Sequence, residues 1–156
     1  MLNNNVTEKK TKDNIVELHI KDPGFSVTEA FNTLRTNIMF SGENIKTVMV
    51  TSTNPAEGKS FVAMQLAKSF ADINKKVVYI DCDLRKSVTL SRYKIRGKRV
   101  GLTEYITGQK SQLIYETNIP NLAVILSGHV VPNPIELMES KKFDDLLSVL
   151  RERFDY

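Results

Sequence analysis

The chain has 156 residues, of which 41% are hydrophobic and 26% are charged, a composition typical of one globular domain. A chain of this length buries roughly 70% of the surface that its unfolded form exposes, so its core does not require disulfides or a structural metal. Its one cysteine, Cys82, excludes a disulfide framework and a Cys-x-x-Cys motif, and it indicates a reducing, intracellular compartment. The polar N-terminus is unlike a secretory signal, and the apolar runs fall far short of the roughly 20 residues of a membrane helix.

The net charge of +4 arises in one segment of the chain. Between Arg85 and Arg99 every charged residue is basic, while the rest of the chain has more acidic than basic residues. A solvated loop is the simpler interpretation, and contact with an acidic substrate, a phosphate or an anionic surface is the alternative. The basic residues of this segment are Arg85, Lys86, Arg92, Lys94, Arg96, Lys98 and Arg99.

The first predicted elements are an arm and a helix. Residues 1–24 are polar and end in an Asp-Pro-Gly turn signal, which indicates a flexible N-terminal arm. A helix is expected from Ser26, with Ser26 as its N-cap and Glu29 completing a capping box. Its apolar stripe consists of Val27, Phe31, Leu34 and Ile38.

A βαβ unit is predicted next. The β-branched run at 45–52 indicates a buried strand, followed by a loop at 53–58 and a helix from Lys59 to about Asp72. Residues 76–81 form a second apolar strand that ends in carboxylates. Strand, loop, helix and parallel strand predict a right-handed crossover.

The remaining elements complete an α/β pattern. A short helix is expected near 101–107, and a third buried strand at 121–127. Asn133, Pro134 and Glu136 have the N-cap, N1 and N3 pattern that opens a helix. That helix is expected to carry Phe143, Leu146, Leu147, Leu150 and Phe154 on its apolar face. We therefore expect a mainly parallel sheet with helices on both faces.

The strongest functional signal is Gly58-Lys59-Ser60 between a predicted strand and a predicted helix. In that position the helix N-terminus and its backbone amides can cradle phosphate groups. Lys59 can reach the β- and γ-phosphate oxygens, and the Ser60 hydroxyl can bind Mg²⁺. Thr53 replaces the glycine that the general P-loop pattern has five residues before Gly58. The motif predicts a three-layer P-loop NTPase fold.

Asp81 and Asp83 form the second signal, because they follow the strand at the edge where α/β sheets bind ligands. Beside a bound Mg-nucleotide, such carboxylates can organise metal-bound water or accept a proton from an attacking hydroxyl. The alternative is that they only shape the turn after the strand.

These motifs resemble those of a known family. Residues 52–60 look like the Walker A loop of the bacterial protein-tyrosine kinases (BY-kinases) of capsular and exopolysaccharide biosynthesis, and residues 77–85 are similar to their Walker A′ motif. Residues 29–38 resemble the family's oligomerisation helix, and residues 101–105 and 132–137 match other stretches common in it. The resemblance covers about residues 25–156.

The resemblance implies ATP/ADP and Mg²⁺ as cofactors and transfer of the γ-phosphoryl group to tyrosine. It makes Lys59 and Ser60 the phosphate and Mg²⁺ ligands and Asp81 the base or metal-water organiser, with Asp83 beside it. We count Lys59, Asp81 and Asp83 as candidate catalytic residues and Ser60, Asp81 and Asp83 as candidate metal ligands. The candidate nucleotide-binding residues are Pro55, Ala56, Glu57, Gly58, Lys59, Ser60, Phe61 and Arg85.

The resemblance also implies partners. The candidate oligomerisation residues Glu29, Asn32 and Arg35 would contact neighbouring copies, although Asn32 replaces a family arginine. A membrane-embedded polysaccharide co-polymerase would act as activator and hold a cytoplasmic protein at the membrane. The family continues from this point into a strand with the Walker B aspartate, so we expect missing C-terminal strands and nucleotide binding with little or no kinase activity.

Two other functions remain open at this point. One is a P-loop ATPase switch of the chromosome-partition or division-site type, whose basic segment would meet DNA; the lysine typical of that loop is absent from 53–57, so we expect no nucleic-acid partner. The other is a non-catalytic, nucleotide-binding adaptor for the membrane activator. We expect His19 and His129 to be ordinary surface residues and like-charge repulsion to raise the pKa of Cys82. Tyr93, Tyr105 and Tyr115 are weaker candidate phosphate acceptors.

Overall fold

The computed structural model of the chain describes residues 14–42, 44–97, 99–110 and 112–156. Elements are numbered along the chain. In order they are β1 (Ile15–Val16), α1 (Phe25–Phe40), α2 (Lys59–Ala71), β2 (Val77–Ile80), α3 (Thr89–Arg92), α4 (Leu102–Ile106), β3 (Tyr115–Thr117), β4 (Leu122–Ile125), α5 (Pro134–Met138) and α6 (Lys141–Arg153).

The strands form one sheet in the order β1-β3-β4-β2. β2 and β4 run parallel, with Val77 opposite Leu122 and Ile80 opposite Ile125. β1 is parallel to β3, and β3 is antiparallel to β4. The predicted α/β class with a mainly parallel sheet is therefore confirmed.

Alternate residues of β4 enter two different hydrophobic cores, because successive side chains of a strand point to opposite faces. Leu122 and Val124 pack in the core that includes Phe70 of α2. Ile125 packs in the second core with residues of α4 and α6, among them Leu102 and Leu146. Helices thus cover both faces of the sheet at this strand.

Part of the expected N-terminal arm belongs to the sheet. β1 pairs with β3, and Val16 and Leu18 are buried in the core with exposures of 1% and 3%. The backbone amide of Leu18 also donates to the Asn118 side chain at 2.7 Å. The expectation of a flexible arm is wrong for residues 14–20, because two apolar side chains suffice to dock this short polar segment. Residues 1–13 lie outside the described residues.

The expected buried strand at 45–52 is not formed. Met49 is 83% exposed, and residues 46–51 have no backbone hydrogen-bond partner among the described residues. The segment is instead joined to the end of α6 by side chains. Lys46 Nζ donates to the Arg151 carbonyl at 3.0 Å, and Arg151 Nε donates to Thr47 Oγ1 at 3.1 Å. The free edge of β2 is met instead by Tyr156, whose carbonyl accepts from the Val78 amide at 3.1 Å. A β-branched composition alone cannot place a strand without a neighbour to pair with it.

Hydrogen exchange should detect this difference. We expect the amides of residues 46–51 to exchange rapidly, because they lack acceptors, while amides of β2 and β4 exchange orders of magnitude more slowly. Exchange followed by mass spectrometry on overlapping peptides would measure both regions in one sample. Strong protection of 46–51 would show that this segment is paired.

Several helix boundaries differ from the predicted ones. α1 begins at Phe25 after Gly24, without a side-chain cap, so the expected Ser26 capping box is wrong. The helix predicted from Asn133 is two helices, because Ser140 starts a new one by accepting the Phe143 amide. The expected helices at 59–72 and 101–107 and the strands at 76–81 and 121–127 are confirmed with slightly shorter bounds.

α4 docks closely on the chain that leaves β4. A Cβ at Gly101 would overlap the backbone of Gly128, and a Cβ at Gly128 would overlap the carboxylate of Glu104. Two glycines therefore allow this close approach. Within the described ranges, no helix combines the length and the apolarity that crossing a membrane requires.

Candidate functional site

The loop before α2 has the geometry of an anion-binding helix start. Gly58 precedes the helix with φ of 93°, a left-handed conformation that favours glycine, and a Cβ there would meet nothing within 4 Å. No side chain caps the first turn of α2, so its amides remain available to an external acceptor. Lys59 Nζ lies back over the loop, donating to Ser52 Oγ at 2.9 Å and to the Asn54 carbonyl at 3.4 Å. These features fit a phosphate group.

Glu57 closes the outer side of this loop. Its carboxylate accepts from the Asn54 backbone amide at 3.1 Å and from the Asn54 side chain at 3.0 Å. Those hydrogen bonds, with a smaller contribution from Lys59, lower the pKa of Glu57. The Glu57 side chain thus stabilises the loop through Asn54.

Ala56 lies in the left-handed region with φ of 63°. A non-glycine residue there is strained by roughly 1–2 kcal/mol because its Cβ approaches the following carbonyl. The loop thus accommodates alanine at a position where glycine would be relaxed.

Ala56→Gly should stabilise the fold by about 0.5–1 kcal/mol, since relief of strain exceeds the extra freedom of glycine in the unfolded chain. Urea denaturation would measure this change. Ala63→Gly, in the interior of α2, is the matched control and should destabilise by about 1 kcal/mol. If both variants changed the free energy of unfolding in the same direction, the interpretation that Ala56 is strained would be contradicted.

The carboxylates after β2 are held by their own loop. Asp81 is 5% exposed, and its two oxygens accept from the Asp83 amide at 3.1 Å and from the Ser87 hydroxyl. Asp83 is exposed and accepts from the backbone amides of Arg85 and Lys86 at 3.3 and 2.9 Å. Both shape the turn, as the simpler interpretation expected, and this same turn fixes the orientation of Asp81.

Of the other predicted nucleotide-binding residues, Pro55 belongs to the loop, Phe61 to the first turn of α2, and Arg85 to the turn after β2. Pro55 and Arg85 are exposed. The Phe61 ring packs edge-on against Phe31 at 6.0 Å, so a role at a phosphate would fall to its backbone amide in the first turn of α2. Sequence reasoning missed Ser87, which only its contact with Asp81 identifies.

The candidate oligomerisation residues form a chain of contacts along α1. Asn32 donates to Glu29 and accepts from Arg35, both at 3.0 Å. Arg35 also donates to the Ser69 carbonyl of α2 at 2.7 Å. Arg35 therefore docks α1 on α2 within one chain, while Glu29 remains exposed.

The weaker sequence candidates have defined roles. His129 bonds the buried carboxylate of Glu104 through its ring Nδ1 and its amide. Desolvation, more than the charge of Asp81, raises the pKa of Cys82 to about 11. Tyr93 and Tyr115 are 4% and 3% exposed, so neither presents its hydroxyl to a kinase.

The basic segment is mostly solvent-facing. Within the described part of the chain, five of its residues are exposed and form no ion pair. These five are Arg85, Lys86, Arg92, Lys94 and Arg96. Arg99 instead lies over the Tyr115 ring, 5.6 Å from its centroid.

A glycine-led phosphate loop at the start of α2, with a held carboxylate at the end of the next strand, defines a P-loop nucleotide-binding domain. The chain belongs to the CobQ/CobB/MinD/ParA nucleotide-binding domain family, whose model matches residues 48–153. Within that family its resemblance to bacterial tyrosine kinases is confirmed. It is 46% identical over 130 residues to tyrosine-protein kinase CpsD of Streptococcus pneumoniae serotype 4, covering 82% of this chain and 57% of the relative.

Two further similarities agree. Tyrosine-protein kinase YwqD of Bacillus subtilis is 41% identical over 123 residues, covering 76% of this chain and 52% of the relative. The kinase domain of Escherichia coli tyrosine kinase ETK superposes with a TM-score of 0.78 at 31% identity, covering 85% of this chain and 53% of that structure. The chain thus spans little more than half the length of these relatives.

Proposed function

We propose that this chain binds Mg·ATP and Mg·ADP as the nucleotide-binding part of a tyrosine-protein kinase that regulates capsular or exopolysaccharide biosynthesis. The observation that carries the proposal is the uncapped start of α2, with Lys59 folded over the same loop. The relatives are named tyrosine-protein kinases, which supports tyrosine as the acceptor of the phosphoryl group.

The proposed roles follow from the positions of the side chains. Lys59 would leave Ser52 and contact the terminal phosphates, while the first-turn amides of α2 bind the phosphate oxygens. Ser60 would hold Mg²⁺, which neutralises charge that develops on the transferred group. Asp81, fixed by Ser87, would accept the proton of the attacking tyrosine or orient metal-bound water, with Asp83 beside it.

The proposed partners are neighbouring copies of the protein and a membrane-embedded activator. The exposed side of α1, which includes Glu29, would face a neighbouring copy. We propose that the activator holds the protein at the cytoplasmic face of the membrane.

The fate of the γ-phosphate tests the proposed function. With γ-labelled Mg·ATP, we expect at most slow labelling of tyrosine, and Lys59→Met and Asp81→Asn should abolish any labelling that occurs. Phosphoamino-acid analysis identifies the product, and released inorganic phosphate is counted in the same samples. Phosphate release without any phosphotyrosine would contradict a kinase role.

A partition-type ATPase switch is the second candidate, because the exposed basic segment could bind DNA. That function predicts DNA affinity that falls steeply with salt and is lost in a Lys94→Glu, Arg96→Glu double variant. Fluorescence anisotropy with duplex DNA at two salt concentrations separates the candidates. We expect no specific binding.

A further inference from the structure

A cleft of about 370 Å³ lies between the basic segment and the chain at and just after β1. The basic segment contributes three cationic side chains to its lining, those of Lys94, Arg96 and Arg99. Glu17 and His19 contribute from the other side. None of the residues assigned above to nucleotide binding, metal binding or oligomerisation lines this cleft.

Contacts with the rest of the fold hold the backbone on both sides of the cleft. The His19 amide donates to the Tyr93 carbonyl at 3.1 Å, so the two sides are joined directly. Ile95 packs against the hydrophobic core, while its neighbours Lys94 and Arg96 are exposed. The two cations therefore project from a backbone that is already folded, and a ligand would not have to order this loop.

The lining of the cleft has an excess of positive charge. Arg99 lies over the Tyr115 ring, 5.6 Å from its centroid, and the other two cations form no ion pair within the described part of the chain. The carboxylate of Glu17 lies 3.8 Å from the His19 ring. Three cations against this one carboxylate leave an excess of two positive charges, which an anion in the cleft would offset.

A phosphomonoester matches this cleft in charge and in size. It carries roughly 1.5–2 negative charges at pH 7, close to the excess in the lining, whereas a carboxylate carries one. The planar fork of an arginine side chain binds phosphate oxygens with two parallel hydrogen bonds. Sites for small organic ligands have volumes of roughly 300–1,000 Å³, so the cleft has room for the group that carries the phosphate.

We propose that this cleft binds a phosphomonoester, either a soluble compound or the head group of a lipid such as phosphatidic acid. Lys94 and Arg96 contact the phosphate oxygens, Arg99 adds a third positive charge, and the nearby carboxylate of Glu17 weakens binding by repulsion. The site shares no lining residue with the phosphate loop before α2, and it does not depend on the proposed kinase function.

Nuclear magnetic resonance can locate the binding of inorganic phosphate on the isotope-labelled chain. The amides of residues 17–19 and 94–96 should shift together along one saturation curve. Phosphate that binds at the start of α2 would instead shift the amides of residues 57–61, with a curve of its own. The two sites are therefore measured separately in one titration. A titration that shifts no amide of 17–19 or 94–96 would contradict the proposal.

Two double variants test the cations. Lys94→Gln with Arg96→Gln should weaken phosphate binding in the cleft by about tenfold, because two charge-assisted contacts are lost. Arg85→Gln with Lys86→Gln is the matched control, since it removes the same charge from the same segment at residues that do not line the cleft. It should change the affinity by less than about twofold. Equal weakening by both variants would show only a general effect of charge and would overturn the proposal.

Glu17→Gln should have the opposite effect. Phosphate should bind in the cleft about two- to fivefold more tightly, because the repulsion from the carboxylate is removed. The Glu17 side chain is 73% exposed, so the substitution leaves the fold intact, and the same spectra confirm this. Unchanged or weaker binding in this variant would argue against a phosphate beside Glu17.

Sedimentation with vesicles distinguishes the two sources of the phosphate group. If the ligand is a lipid head group, phosphatidylcholine vesicles that contain phosphatidic acid should retain the wild type, and pure phosphatidylcholine vesicles should not. The Lys94→Gln, Arg96→Gln variant should then stay in solution. Phosphate binding in the cleft without vesicle binding identifies a soluble phosphomonoester. Lys59→Met should change none of these results, so the test is independent of nucleotide binding. Failure of both phosphate and vesicle binding would overturn the proposal.

Discussion

Saturating Mg·ADP should raise the free energy of unfolding by about 4 kcal/mol at a thousand times Kd, and Lys59→Met should remove nearly all of that gain. Lys59 donates hydrogen bonds to the Ser52 hydroxyl and the Asn54 carbonyl of this exposed loop, so methionine loses little in the folded protein. A bound nucleotide loses the cation that faces its terminal phosphates. For a chain of this size the ligand-induced shift corresponds to about 10 °C in Tm.

Differential scanning fluorimetry across a nucleotide titration measures this effect. Lys110→Met removes an exposed lysine away from the loop and should retain the full shift. An equal shift in Lys59→Met and wild type would place nucleotide binding elsewhere. A shift with Mg²⁺ alone, without nucleotide, would also contradict the assignment.

Glu104→Ala should destabilise the fold by about 3 kcal/mol, because it removes a buried carboxylate that two backbone amides need as their acceptor. The carboxylate is 4% exposed and accepts from the Gly101 amide at 2.7 Å and from the His129 amide at 3.0 Å. It thereby ties the start of α4 to the loop that follows β4. Without it, two amides are left without their acceptor.

The effect should depend on pH. Burial raises the pKa of Glu104, but hydrogen bonds from the amides of Gly101 and His129 and from the His129 ring outweigh it, so the net pKa is lowered. A lowered pKa in the folded state gives stability above the unfolded value of about 4.3, and this stability is lost as pH falls through the folded value. The difference in free energy of unfolding between wild type and Glu104→Gln should therefore be largest at neutral pH and should become smaller below about pH 4.

Urea denaturation at several pH values would check both statements. Glu152→Ala, on the exposed side of α6, is the matched control and should stay within about 0.5 kcal/mol of wild type. If the difference in free energy of unfolding between wild type and Glu104→Gln does not change with pH, the charge of Glu104 does not stabilise the contact between α4 and the loop after β4.

Periodicity predicted the elements whose partners lie nearby. The apolar runs at 76–81 and 121–127 became paired strands, and the helix from Lys59 formed as expected. The prediction of a strand at 45–52 was wrong, because this segment has the composition of a strand but, among the described residues, no neighbouring strand that pairs with it. Periodicity also failed at β1, because two residues in a polar segment give no recognisable period. Whether a strand forms depends on both of the segments that pair, and the composition of one segment does not show whether its partner is in place.

The loop that carries the proposed phosphate-binding residues was predictable from the sequence, while the residues that position the site were not. Gly58, Lys59 and Ser60 follow from a motif whose geometry depends on the backbone of one loop. Ser87 supports the site through its hydrogen bond to Asp81, and no sequence motif reveals that contact. Arg35 was assigned to contacts between copies, and its docking on Ser69 depends on how α1 packs.

The pairing of β1 with β3 has a consequence for synthesis of the protein. Leu18 and its partner Asn118 are 100 residues apart in sequence. At about 5–20 residues per second, a ribosome would release the partner on the order of 5–20 s after β1. β1 therefore cannot join the sheet until β3 has been made, and Val16 and Leu18 remain uncovered during that interval. A fusion placed before residue 14 would act on this late step of folding rather than on the nucleotide loop.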